Sequence, residues 1–366
     1  MCSPLPTEVE VVVIGGGVMG VSTAYWLARF GADVLLLESR DLAFGASGRN
    51  GGLVLGDDAS LSEIQAVLRE EGIVADYEEP GHLSLASSSA VLDQMQQEVA
   101  RRPPTATPVH VVGRDECEEM LGMRINKRFQ GGRWMPRSAT IHPVRFVRGL
   151  AAAAVRHGAQ LSRGKVLRIE QKGNVLQVET SKQRIRARQV VLACNYATTR
   201  FLPALRKVLS PVRGQVLSSR PLGPMFRLGL AVDWGTNYWR QCKDGVIVLG
   251  GYRNLDVAAE TTPYQRLNPL IQRALTHFLP DAFPDFPKVA IAGRWAGIMD
   301  QTPDGKPLVG KWPNTSNMWI NAGFGGHGLP PALRLARELA QVMLQSSCSV
   351  MLNPYDPARF AKVLCS

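Results

Sequence analysis

Val11 to Ile14 form an unbroken β-branched run, the pattern of a strand buried on both faces of a parallel sheet. A helix-like stretch then runs from about Val18 to Phe30 and stops at Gly31, a residue suited to the left-handed helix end. Ala32 to Leu37 repeats the buried-strand pattern, and Glu38 stands at its end. Farther on, GHLSLASS, VRGQVLSSRPL, YWRQCK and GVIVLGGYR read as strands, PLIQRALTHFLP as a helix and RRPPTATP as a loop. Met318 to Ala322 reads as a strand. The segment from Pro330 to Leu344 reads as a helix with its two prolines in the first turn.

At 366 residues the chain has room for two domains, or for one core with a large insertion. Its 45% hydrophobic and 20% charged residues are ordinary globular composition. The net charge of +11 is spread over scattered positions such as Arg101, Arg163 and Arg186, with no dense basic block carrying interleaved aromatics. That pattern predicts a solvated basic surface and no nucleic-acid partner. The six cysteines show no paired spacing and no neighbouring histidine cluster, which predicts neither a metal site nor a disulfide framework. Glu8 and Glu10 precede the first apolar run, which glycines interrupt. The expectation is therefore a cytoplasmic protein with no integral membrane segment.

The chemistry concentrates in glycines. Gly15, Gly17 and Gly20 follow the first strand at GxGxxG spacing. Gly15 permits the tight turn, Gly17 lets the backbone approach a pyrophosphate, and Gly20 lets the helix pack on the strand. The opening of the helix, Val18 and Met19 included, offers free N–H groups and a partial positive charge to phosphate. Glu38, with Ser39 beside it, is placed to accept hydrogen bonds from an adenosine ribose. The following stretch DLAFGASGRNGGLV brings Ser47, Gly48, Arg49, Asn50 and Gly51 into a second glycine-rich approach. A nicotinamide-binding domain would enter a crossover helix there, whereas a flavin must be covered along its whole length. These features favour FAD.

These residues resemble the D-amino-acid oxidase superfamily of FAD-dependent amine and amino-acid oxidoreductases, whose members include glycine, sarcosine and γ-glutamylputrescine oxidases. The resemblance covers nearly the whole chain in order. ATIHPVRFVRGLAAAAVRHGAQL is similar to the family's helix leading into a strand, and GKVLRIE follows, where the backbone of Val166 would meet the adenine. In RARQVVLACNYATTRFLPAL, Asn195 and Tyr196 stand where many members have Gly-Ala. RWAGIMDQTPDGKPLVG and INAGFGGHG match the C-terminal signature. That last loop, Gly323, Gly325, Gly326, His327 and Gly328, again spells GxGxxG, yet no acidic strand end follows it. The resemblance implies that it faces the pyrimidine side of the flavin, where backbone N–H groups would stabilise the reduced anion.

The implied fold is α/β (α+β overall): a Rossmann-like FAD-binding domain with an inserted antiparallel-sheet substrate domain. The FAD-binding part would comprise residues 1–80, 140–210 and 290–366, and the substrate part 81–139 and 211–289. Tyr238 and Arg240 flank Trp239 on one strand and share a face by period two, where relatives place pocket residues. Together with Arg294 and His327 they are the candidate catalytic residues. Several departures from the family pattern stand out. The carboxylate-binding arginine of glycine and D-amino-acid oxidases falls on Met299, and the lysine after GHG in sarcosine oxidase falls near Leu329 and Pro330. Positions that tether FAD covalently in two branches fall near Gly297 and Arg49, so non-covalent FAD is expected.

The expected reaction transfers hydride from a C–N substrate, an amine or an amino or imino acid, to flavin N5 and releases an imine. The small-molecule substrate would be joined by O2, giving H2O2, or by an electron-carrier acceptor. The missing carboxylate clamp tilts the expectation towards an amine or an unusual amino-acid derivative. The alternatives are a flavin 2-hydroxyacid or alcohol dehydrogenase on the same fold, and a non-catalytic flavin-binding scaffold.

Overall fold

The computed structural model describes residues 5–315, 317–345 and 348–364. One sheet runs in the order Leu308–Lys311, Met318–Ala322, Arg184–Leu192, Glu8–Ile14, Val34–Glu38, Gln160–Arg163. All neighbours pair in parallel except Leu308–Lys311, which turns back against Met318–Ala322. Successive residues of the central strand serve different layers. Val11 and Val13 pack with the helices Val18–Arg29, Pro143–Arg156 and Ala332–Gln345. Val12 and Ile14 pack on the other face, with Leu176 and Val178 of the hairpin Val166–Lys172 and Val175–Thr180. Two buried faces explain why the sequence shows no alternation there.

The second sheet runs Ile291–Gln301, Ser210–Ser219, Ile247–Gly251, Asn237–Gln241, Gly229–Val232, His82–Ala86, Gly131–Met135, His110–Gly113. It is antiparallel but for the junction of Gly229–Val232 with His82–Ala86, which joins its two sequence segments in parallel. Its outer face, carrying Leu83, Leu85, Leu217, Leu249 and Trp239, packs with the helix Pro269–Ala282 around Phe226, Phe278 and Phe283. Asn268 caps that helix through Leu270 and Ile271, and Pro269 occupies its first turn.

Three expectations shift. The second strand spans Val34–Glu38, because the Ala32 N–H is bound back to Leu27 O at the helix end. The C-terminal helix begins at Ala332, with Pro330 and Pro331 in the turns before it. The boundary expected at residue 290 would set Ile291–Gln301 with the nucleotide part, whereas it pairs with Ser210–Ser219 along its whole length. This long strand is stabilised by that ladder, and its far end delivers Met299 and Asp300 to the first sheet's C-terminal loop. No helix among the described residues is long and apolar enough to cross a membrane.

Candidate active site

The first glycine loop has the shape that its spacing demands. A side chain at Gly20 would put Cβ 1.8 Å from the Gly15 carbonyl oxygen, and one at Gly15 (φ +117°) would meet Ala193 O at 2.5 Å. Gly17 is the N-cap of the helix Val18–Arg29 and supplies no side-chain cap. The Val18 N–H is instead accepted by Ser47 Oγ at 2.9 Å. Ser47 thus ties the second glycine-rich approach to the first. The remaining N–H groups of an uncapped first turn form an anion cradle. Glu38 Oε2 accepts from Gly16 N at 2.7 Å, while Oε1 accepts from Arg40 N and Ser39 Oγ. Oε2, with a single donor, keeps a lone pair for a diol, whereas Oε1 already accepts two hydrogen bonds. Gly164 N donates to Glu38 O, which pins the turn leading to Val166 to the end of the second strand.

The approach from Ala43 to Val54 is fixed by its own backbone. Asn50 Nδ2 donates to Ala46 O and Ser47 O, and Asn50 Oδ1 accepts from Gly52 N. Gly48 has no room for a side chain, since its Cβ would lie 2.2 Å from Ala43 O. Arg49 donates to Phe44 O and Ala296 O, and its own carbonyl accepts from Trp295 Nε1 at 2.9 Å. Gly297 faces Arg49, with a Cβ-to-Cβ distance of 3.2 Å if a side chain were added. The loop is therefore clasped between both sheets.

At the other end of the chain, Gly323, Gly325 and Gly326 all have positive φ (83°, 58° and 92°). Two of the expected flavin-facing donors are otherwise engaged. Gly323 N donates to Asp300 Oδ2 at 2.9 Å and Gly325 N to Asp300 O at 2.8 Å. Their part is to shape the loop, because a buried carboxylate must be given donors. Burial pushes the Asp300 carboxyl up to about 6 against the pull of the Gly323, Asp300 and Phe324 N–H groups. Gly326 packs on Met299 Sδ and Gly328 on Met19 Cε, each closer than 3 Å to where a Cβ would sit. Asn195, at φ +56°, donates through Nδ2 to Ile298 O at 2.9 Å. His327 is exposed, and its N–H returns to Phe324 O.

The loops from both ends of the chain thus meet the first helix, Ser47 at Val18 and Gly328 at Met19, and the second sheet turns one face to the glycine-rich approach. Cross-strand pairs put Trp295, Val216, Gly250, Tyr238, Ala231, Ser84 and Arg133 in one row. Trp295 locates this face, since it bonds the Arg49 carbonyl. The Tyr238 ring leans over Gly250 and Gly51; an added Cβ would lie 2.4 Å from its hydroxyl at Gly250 and 3.0 Å from its Cε2 at Gly51. Burial drives the Tyr238 hydroxyl up to about 12, so it stays a neutral phenol. Arg240, on the same face, donates from Nε to Gly51 O. Trp239 points the other way into the core, its ring edge against Phe278. Arg294 is not brought to the site. It sits in the outward row with Leu217, Leu249 and Trp239, and its guanidinium bonds Gln272 and Thr276 of the helix Pro269–Ala282.

Sequence reading missed two site features. One is the anchoring role of Asp300, whose partner Gly323 lies 23 residues away. The other is His82, one step along the ladder from Arg240 across the side-chain-free Gly229. It is 2% exposed with Nδ1 unpartnered, and burial, then the nearby Arg133 charge, pull it down to about 3. Its signal was only a polar residue at the start of an apolar strand.

A family model described as "FAD dependent oxidoreductase" (DAO) matches residues 10–342. A probable oxidoreductase, OrdL, of Rhizobium meliloti is 27% identical over 95% of this chain and 86% of its own length. Human mitochondrial dimethylglycine dehydrogenase is 25% identical over 96% of this chain, which spans only 44% of that protein. Among solved structures, L-proline dehydrogenase from P. horikoshii superposes with a TM-score of 0.87 at 22% identity, covering 98% of this chain and 99% of that one.

Proposed function

The chain belongs to the DAO family of FAD-dependent oxidoreductases, and from that premise we propose that it oxidises the C–N bond of an amine or amino acid to an imine, which water then hydrolyses. The proposal includes oxygen as the terminal acceptor, giving hydrogen peroxide, and FAD held without a covalent bond. The observation that carries this reading is the face of the second sheet laid against the glycine-rich approach. It sets a neutral phenol, Tyr238, and a cation, Arg240, over Gly51. Dimethylglycine and proline, named for two similar proteins, are both substituted amines.

The residues fit the cofactor. The Val18–Arg29 N-terminus would hold the pyrophosphate, Glu38 the ribose, and the glycine-rich approach with the Gly326–Gly328 turn the ring. Bound there, FAD supplies a two-electron acceptor for the hydride lost from the substrate carbon. The chain itself needs to provide little acid–base chemistry. Tyr238 and the glycines hold the reacting carbon at one place, and the apolar flank of Val216, Ala231 and Met299 excludes water, which keeps an amine lone pair free.

Mixing the holoenzyme anaerobically with a panel of secondary amines, amino acids and 2-hydroxy acids tests the reading. Bleaching of the oxidised flavin band by amines or amino acids is expected, followed by peroxide on admitting air. Bleaching by hydroxy acids alone overturns it in favour of a C–O reaction, and no bleaching at all favours a scaffold.

A further inference from the structure

We propose that Arg240 is the anion anchor of this pocket, so that the substrate is an amino acid whose carboxylate docks on its guanidinium, and not a plain amine. This deepens the C–N reading and rests on it for the identity of the reacting group. Arg240 is 5% exposed. Its one hydrogen bond runs from Nε to Gly51 O, and it forms no ion pair among the described residues. The other deeply buried arginine of this sheet provides the contrast. Arg213, 6% exposed, has a bidentate Glu260 partner and two backbone carbonyls. A buried guanidinium without an acid is unfavourable unless a ligand completes it.

Its position suits a ligand and no internal partner. Arg240 shares with Tyr238 the side of the sheet that meets the glycine-rich approach, and its Nε and Nη2 occupy the space that a side chain at Gly52 would fill, each 2.8 Å from that Cβ. Asp76 is an acid whose charge acts on two of the groups that feel Arg240, His142 and Cys242. Both oxygens of Asp76 accept from Arg145 Nη1, at 2.7 and 2.9 Å, so it is already matched. On the other side Leu53 Cδ2 fills the space over Gly229, and the next residue in the row, His82, turns an unpartnered Nδ1 towards it. With Nε given to Gly51 O, the two Nη groups remain, and such a pair can hold a carboxylate in two places.

This assigns the recognition that Met299 lacks at the family's usual arginine position. The anchor comes instead from the neighbouring part of the sheet, reached over Gly52.

The test has two arms on the FAD-loaded protein. In the first, acetate is titrated while the flavin absorption spectrum is followed, for the wild type, Arg240→Lys and Arg240→Met. A saturable perturbation is expected in the wild type, weakened about tenfold to hundredfold in Arg240→Met, with FAD content and circular dichroism unchanged. Arg240→Lys, which keeps charge without the fork, is expected to fall between, and it carries the test if the Met variant does not fold. In the second, proline is compared with pyrrolidine, and dimethylglycine with trimethylamine, as anaerobic reductants. The amino acid of at least one pair is expected to bleach the flavin far faster than its amine. The proposal is overturned if amines bleach as well as their acids, if Arg240→Met binds acetate as the wild type does, or if that variant loses FAD, which would make Arg240 a brace for the Gly51 loop. Acetate binding that needs Arg240, without bleaching by any amine or amino acid, sinks the C–N reading alone and leaves the anchor standing.

Discussion

Consider Gly52→Ala set beside Gly45→Ala, two single-methyl additions to the same glycine-rich approach. Gly45 has φ −76° and no heavy atom within 4 Å of its would-be Cβ. Gly52 has φ +72°, and its Cβ would lie 2.2 Å from Ile141 O and 2.8 Å from the Arg240 guanidinium. Ordinary contact is near about 3.5 Å, so a carbonyl must retreat by roughly 1 Å or more. That carbonyl belongs to the residue whose N–H bonds Gly52 O, so the movement breaks a backbone link between the approach and the start of the helix Pro143–Arg156. Left-handed strain adds about 1–2 kcal/mol, and overpacking about 1–3 kcal/mol. Gly52→Ala should thus lose about 2–5 kcal/mol in urea unfolding of the holoenzyme, while Gly45→Ala should stay within about 0.5 kcal/mol or gain slightly. Because the same Cβ displaces Arg240, acetate affinity should fall in Gly52→Ala as well. Equal stability of the two variants would refute the reasoning.

Asp300→Asn should gain on the wild type as pH rises. The folded-state carboxyl is raised, so its protonated form contributes stability in full below about pH 4, and this is lost as pH climbs through about 6. The difference between variant and wild type should therefore move by up to about 3 kcal/mol in favour of Asn between pH 4 and 7, read by urea unfolding at both values; a pH-independent difference contradicts it. Glu38→Gln should weaken FAD retention about tenfold, through lost charge-assisted bonds at Gly16 and Arg40, measured by flavin fluorescence released on dilution. Acid precipitation of the yellow holoenzyme should leave all flavin in the supernatant; colour in the pellet would show a covalent link.

Much of the fold was legible because its signals are local. Val11–Ile14, the first glycine loop and Glu38 lie within thirty-odd residues, and each step restricts the next. Tyr238 and Arg240 could be put on one face because a short strand has only two. Arg294 shows where such reading stops. Its strand was recognised as a motif and not as a strand, so its phase was unset until pairing with Leu217 turned it outward. Asp300 shows the same limit from another side. Nothing near it marks it as the acceptor for Gly323, and only the meeting of two sheets brings carboxylate and loop together. The pairing of Arg213 with Glu260, 47 residues apart, is of this kind too. Ser47 was found for its neighbourhood, but its contact to the Val18 N–H required coordinates.

The position of Arg184–Leu192 carries a consequence for biogenesis. Glu8–Ile14 holds one edge; on the other, Val175–Thr180 covers Arg184–Ala187 and Met318–Ala322 covers Val190–Leu192, so the C-terminal end of that edge stays bare until more than three hundred residues have left the ribosome. Until that late strand docks, the exposed ladder is open to wrong partners, and the turn that follows it has no floor to lie on. A nascent chain halted before residue 318 should therefore be a client for chaperones and an easy target for proteases, however complete its adenylate-gripping half.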